Sequence, residues 1–264
     1  MAFPASPSNN DVHKEGNRAF VWDSTLGVWD QVRETDRTEN KTITSDAIAQ
    51  GNLTVVGDLV PSTALTNRNM IINGGMQIWQ RATATTVVSS GYSTVDRWAV
   101  YEVSDAITTT EKYTMSVSEL NTTGHGTALK MNVTQVDTSS ANASYIFLRT
   151  GLEGQDLQQL KYGSGNAKDI TLSFWVKSNK IGVYAVTLNK GSTTRLMIPV
   201  TYTIVVADTW EKKELVITPT MGGTTFINHV DGRGIINNNN TSGLDINFTL
   251  LVGNTNEATA DTWV

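Results

Sequence analysis

The chain has 264 residues, 39% of them hydrophobic, with 20 Lys plus Arg, 25 Asp plus Glu and a net charge of −5. An acidic balance without a long basic run leaves no electrostatic footprint for DNA or RNA. No apolar stretch reaches the roughly 18 to 20 residues that span a bilayer, so no membrane insertion is expected, and the opening MAFPASPSNND has neither part of a signal peptide, which predicts synthesis in a cytoplasm.

Cysteine is absent, which excludes a disulfide framework, a thiolate zinc site and a Cys nucleophile. The richness in Thr, Asn and Gly suits strands joined by turns, so the expected class is all-β. In residues 1–37, two aromatic-rich runs flank DSTLG, with Phe20 and Trp22 before the turn and Val28 and Trp29 after it; this reads as a β-hairpin. So small a unit is marginal alone in water, and its aromatics are expected to pack on something else.

In residues 38–66, Leu53, Val55 and, after the Gly57-Asp58 break, Leu59 supply too little apolar surface for a monomeric core. Three copies around an axis would bury them, which predicts a thin trimeric β stem; a flexible linker is the alternative. In NRNMIINGGMQIWQR, residues 67–81, Met70 and Ile72 alternate, Gly74-Gly75 permits a bulge, and Met76 and Ile78 resume. That pattern predicts a first strand, with Trp79 on the face opposite Met76 and Ile78.

Beyond it the alternation becomes regular. Ile170, Leu172, Phe174 and Val176 share one face of DITLSFWVKS, and Thr171, Ser173, Trp175 and Lys177 share the other. The same period recurs at Leu129, Met131 and Val133, at Tyr184, Val186 and Leu188, at Leu196, Ile198 and Val200, and at Leu244, Ile246, Phe248, Leu250 and Val252. Many such strands predict an antiparallel β-sandwich over residues 67–264, with Leu172, Phe174, Ile246, Phe248 and Leu250 in its core. One short helical connector is expected in LEGQDLQQLKYG, where Leu157 and Leu160 are three apart and Gly163 is a stop. The four asparagines at 237–240 mark a loop.

Three stretches carry a resemblance to bacteriophage tail-fibre and related virion appendage proteins. RNMIINGGMQIWQR with the later YSTVDRW resembles the opening of the jelly-roll domain of such proteins, LEGQDLQQLKYGSGNAKDITLSFWVKSNKIGVYAV resembles its middle, and DTWEKKELVI a later strand. QGNLTVVGDL is similar to units of trimeric fibre stems, and FPASPSNNDVHKEGNRAFVWDSTLGVWDQV to an amino-terminal segment of phage structural proteins. The family's jelly roll continues through another strand where this chain ends in ADTWV. The resemblance implies a virion location, with residues 1–37 docking on other virion proteins of tail, baseplate or capsid through Phe3, Phe20, Trp22 and Trp29. It implies a homotrimer through residues 38–66 and outward display of a jelly roll.

Signatures of chemistry are sparse. His13, His125 and His229 lack partners at metal-ligand spacing, and no nucleophile elbow or phosphate loop occurs. The sequence leaves open whether Glu102 or Glu153 meets Asp231 as a carboxylate pair, but scattered acids beside lysines, as in EKKEL, read as a solvated strand face. No enzymatic activity and no cofactor are expected, and a structural calcium ion is left open. Sugar recognition is the sharper idea, because jelly rolls resembling this one bind carbohydrate and aromatic rings suit sugar faces. Trp175, with Ser173 and Lys177 beside it on the polar face of its strand, is the candidate for host polysaccharide; cover by a loop or subunit is the alternative. Trp98 and Trp210, at strand beginnings, read as core caps. The expected protein is a non-catalytic tail fibre or its virion-proximal part, with a head fibre or capsid decoration protein, or a carbohydrate-binding module of a secreted enzyme, as alternatives.

Overall fold

The computed structural model describes residues 4–15, 18–32, 69–87, 91–138, 143–191, 194–229 and 232–264. The chain divides into two units, residues 1–60 and 61–264.

In the first unit, β1 (Val12–Glu15), β2 (Arg18–Asp23) and β3 (Val28–Val32) form an antiparallel sheet in that order. The expected hairpin is β2–β3. Asp23 closes its turn by accepting the Thr25 and Leu26 backbone N–H groups on Oδ1, at 2.7 and 3.1 Å, and Gly27 supplies φ +68°. Sequence reading had no signal for β1, because VHKE carries no apolar alternation. The register sets His13 opposite Phe20 and Trp22 opposite Trp29, so all four share one face, with the Trp rings 5.6 Å apart. Phe3 and the whole expected stem, Leu53, Val55 and Leu59 included, lie outside the described residues.

The second unit contains β4 (Ala84–Val87), β5 (Ala99–Val103), β6 (Ile107–Thr114), α1 (Val117–Thr123), β7 (Thr127–Gln135), β8 (Tyr145–Glu153), β9 (Ile170–Val176), β10 (Gly182–Lys190), β11 (Leu196–Ile204), β12 (Glu211–Ile217) and β13 (Ser242–Val252). Every pairing is antiparallel: a five-stranded sheet β11-β10-β13-β8-β5, a pair β12-β9, and a three-stranded sheet β4-β6-β7. The class is all-β, as composition implies.

Two hydrophobic clusters join these sheets. In the larger, Val186, Leu188, Ile198, Val200, Leu244 and Ile246 of the five-stranded sheet pack on Ile170, Leu172 and Ile217 of the β12-β9 pair. In the smaller, Val100 and Leu148 meet Leu129 and Met131 of β7, with Val95 and Trp98. Phe248 touches both clusters and meets Phe174 edge-on at 5.0 Å. The period-two reading of β9, β10 and β11 therefore has the right phase.

Two expectations on strands are corrected. Residues 67–81 do not form a strand in their described part: residues 72–75 are a turn, and Asn73 and Met76 have φ of 54° and 50°. Asn73 holds this turn, donating from Nδ2 to the carbonyls of Ile78 and Asp96 and accepting the N–H of Gln77 and Ile78 on Oδ1. The turn breaks the alternation, so Met76 and Trp79 both pack on the smaller cluster while Ile78 is half exposed. Leu250 is the second correction, since 46% of its surface is exposed. The pairing of β13 with β8 shifts between Thr249 and Leu251, and this bulge drops Leu250 out of phase and leaves Val252 facing out as well.

The connector is a 3₁₀ helix over Gly154–Leu160, a geometry in which residues three apart stack, so Leu157 and Leu160 are both buried. It crosses the start of β13 closely: a Cβ on Gly154 would strike the Asn237 carbonyl, and one on Gly243 would lie 2.7 Å from the Gly154 Cα. Among the described residues α1 is the only α-helix. Its start follows a capping box, Ser116 accepting from Glu119 N–H while Glu119 accepts from Ser116 N–H, and Gly124 ends it in the left-handed region.

Candidate functional site

Ser173 is exposed, Trp175 is half-buried outside both hydrophobic clusters, and Lys177 follows the last residue of β9. Lys177 is not free beside Trp175. Its Nζ donates to Glu119 Oε1 at 2.8 Å and lies 4.8 and 5.3 Å from the ring centres of Tyr113 and Trp210. Glu119 accepts as well from the Tyr113 hydroxyl, from Trp210 Nε1 at 2.9 Å and from the Ser116 N–H. Those hydrogen bonds, Lys177 first, hold the Glu119 carboxyl well below the ordinary carboxylate range, and the bond to Glu119 raises the Lys177 ammonium. Every member has its partner, so the group ties α1 to β6, β9 and β12 and does not present an unmet polar group. Trp98, by contrast, is buried in the core and donates Nε1 to the Asn73 carbonyl at 3.2 Å.

A different arrangement occupies the five-stranded sheet on the face turned away from the clusters. Cross-strand register places successive rows on it: Tyr101, Phe147, Thr249, Ala185 and Thr201; then Ala99, Arg149, Asn247, Thr187 and Pro199; then Gly151, Asp245, Asn189 and Met197. Side chains at these positions alternate with Val100, Leu148, Phe248, Val186 and Val200, which pack into the clusters, so this set lies on the opposite face of the sheet. On the β5–β8 side, Tyr101 and Tyr145 each stack on Phe147, with ring centres 5.4 and 5.2 Å apart, and the Arg149 guanidinium lies 5.2 Å over Tyr101. These four side chains form a continuous wall.

At its foot, Arg149 Nη2 donates to Asp245 Oδ2 at 2.5 Å, and the Ser242 hydroxyl donates to Asp245 Oδ1. Gly151 makes room for that carboxylate, since a Cβ there would lie 3.1 Å from Asp245 Oδ1. Asn247, 8% exposed, sits between Arg149 and Thr187, and its amide has no hydrogen-bond partner among the described residues; its Oδ1 is sealed from solvent.

Sequence reading missed this face. The alternation did assign Asn247 and Asp245 to the side of β13 opposite Ile246, but nothing local shows that Arg149, 96 positions away from Asp245, is its partner. No group of His and acidic side chains suited to a metal ion occurs among the described residues; His125 and His229 are exposed, and Asp231 lies outside them. No described helix is long and apolar enough to cross a membrane. Comparison with family models, with curated proteins and with solved structures found no match to the chain.

Proposed function

We propose that this chain is a bacteriophage virion appendage protein, a tail fibre or its virion-proximal part, whose jelly-roll-like sandwich attaches to host-surface polysaccharide without catalysing a reaction. The observation that carries the binding part is the wall of stacked Tyr101, Phe147 and Tyr145 on the five-stranded sheet, with Arg149 over Tyr101. Hydroxyl-rich ligands meet such a surface through apolar contact with aromatic rings together with hydrogen bonds from neighbouring polar groups. The virion part is supported by the resemblance of RNMIINGGMQIWQR, QGNLTVVGDL and the amino-terminal aromatic segment to phage appendage sequences. Repeated copies on one particle would raise a weak contact to useful avidity.

Two measurements test this reading. Antibody labelling of whole particles is expected to mark the tail; labelling of the capsid vertex would assign the chain to head decoration, and no labelling would overturn the virion reading. Fluorescently labelled purified protein is expected to bind host cells, and absence of binding would reduce the sandwich to a spacer.

A further inference from the structure

On the expectation that copies of the chain are held together through residues 38–66, we infer that the apolar corner where β10 begins and β11 and β13 end is covered by a second copy.

Three short segments meet at this corner, residues 181–183, 204–207 and 250–253, reading IGV, IVVA and LLVG without a charged residue. Gly182 pairs with Ile204 and Val183 with Thr203, while Ala185 pairs with Thr249, so the end of β13 runs on beside the start of β10. Ile181, Val183, Val205, Val206, Leu250 and Val252 are thereby neighbours, and between 41% and 71% of each is exposed. Their backbone is tied down. Glu211 Oε1 accepts the Val205 and Val206 N–H groups at 2.9 and 2.8 Å, and the Asp208 N–H donates to the Ser178 carbonyl at 2.8 Å. A corner held in this way has little order left to gain on contact.

The size fits a protein cover. These six residues expose on the order of 500 Å², near the top of the range for the largest apolar patch on a monomer, and about the apolar share of the roughly 800 Å² that each partner gives to a standard interface. Charge favours a copy of the same chain. Two identical neutral corners meet without like-charge opposition, and the charges at the border are a matching pair, Lys180 just before residues 181–183 and Asp208 just after residues 204–207. Both are exposed, and neither is in a salt bridge among the described residues. In a symmetric assembly Lys180 of each copy can meet Asp208 of its neighbour, whereas a partner of one sign of charge would be opposed by one of the two. A contact of this area is at the low end of interface size, so it joins copies that a tether already holds at about millimolar effective concentration.

Because the chain has no cysteine, one introduced thiol reports on proximity. In the full chain, Val183→Cys under copper–phenanthroline oxidation is expected to form disulfide-linked copies, read on a non-reducing gel, at least about fivefold faster than Val216→Cys. Val216 is a half-exposed valine of β12 outside this corner. Adding Lys180→Asp sets two carboxylates against each other and is expected to slow linkage at least about fivefold, and adding Asp208→Lys as well to restore it; thermal melting checks that each chain is folded. Should Val183→Cys not fold, Val205→Cys replaces it. Equal rates at Val183 and Val216, or a rate indifferent to Lys180→Asp, overturns the inference. If native mass spectrometry finds the wild type monomeric, the tether has failed; selective linkage at Val183 is then still expected at about 1 mM protein, and its absence overturns the inference. Binding to host cells through the aromatic wall, on the β5–β8 side of the same sheet, is measured without these substitutions, so failure of the contact is distinguishable from failure of the attachment reading.

Discussion

Lys190 is a charged group buried in the core. It faces the larger cluster between Leu196 and Leu244 with no exposed surface, and its Nζ donates to the Ile235 carbonyl at 3.0 Å. Burial pushes the ammonium down from 10.5 to about 8. Between those values the unfolded chain binds more protons than the folded one, so stability rises with pH through that window, and below about 8 the full penalty of the charge is present. Lys190→Met is therefore expected to melt higher than wild type at pH 7, and the gap should narrow as pH climbs toward 10.5; a gap that stays constant with pH would show that burial of the charge is not its origin. Glu119 has the opposite sign. Its carboxyl is held low by Lys177, so its contribution is present above the ordinary value of 4.5 and is lost as pH falls through the lowered one. Glu119→Gln should lower the melting temperature at pH 7, with the difference from wild type closing in strong acid, as read by thermal melts across an acid series.

β13 shows how one strand serves two purposes. Its inward residues Leu244, Ile246 and Phe248 close the core, and Asp245 and Asn247, of opposite phase, lie at the foot of the aromatic wall on the other face. Phe248 joins both clusters through Phe174 and Trp98, so Phe248→Ala is expected to cost about 3 to 5 kcal/mol in urea unfolding. Leu250, only two residues on, lies at the bulge and is half exposed; Leu250→Thr should change stability by no more than about 0.5 kcal/mol. A large loss at Leu250 would mean that the alternation runs through without a bulge. The bulge is not legible in the alternation of β13, because the extra residue, Leu250, is recognised only from the register against β8.

Within the sequence of residues 38–66, Leu53, Val55 and Leu59 stand among mostly polar neighbours. A closed threefold arrangement would remove these groups and their strand edges from water, which is the physical basis for expecting a homotrimer. Native mass spectrometry of the full chain is expected to give three copies, and Leu53→Asp combined with Val55→Asp to give monomers that keep the β content of residues 67–264. A monomeric wild type at micromolar concentration would sink the stem, and a trimer that survives the double substitution would move the contact to another part of the chain.

Local pattern sufficed for the all-β class, the β2–β3 hairpin, the phase of β9, β10 and β11 and the loop at 237–240, because in each case the information is carried by neighbours two residues apart or by turn residues within the element. It also held the capping box at Ser116 and Glu119, a signal present in the sequence and passed over. Partnership was another matter. The turn at residues 72–75 depends on Asn73 reaching the Asp96 carbonyl, and Lys177 was drawn from Trp175 to a helix more than fifty positions away. On the outer sheet face, Tyr101, Phe147, Arg149, Asp245 and Asn247 come from β5, β8 and β13, made neighbours by strand order and register alone. Alternation states which side of a strand a residue faces; only the folded sheet, through backbone pairing between strands distant in sequence, decides which residues share that side with it.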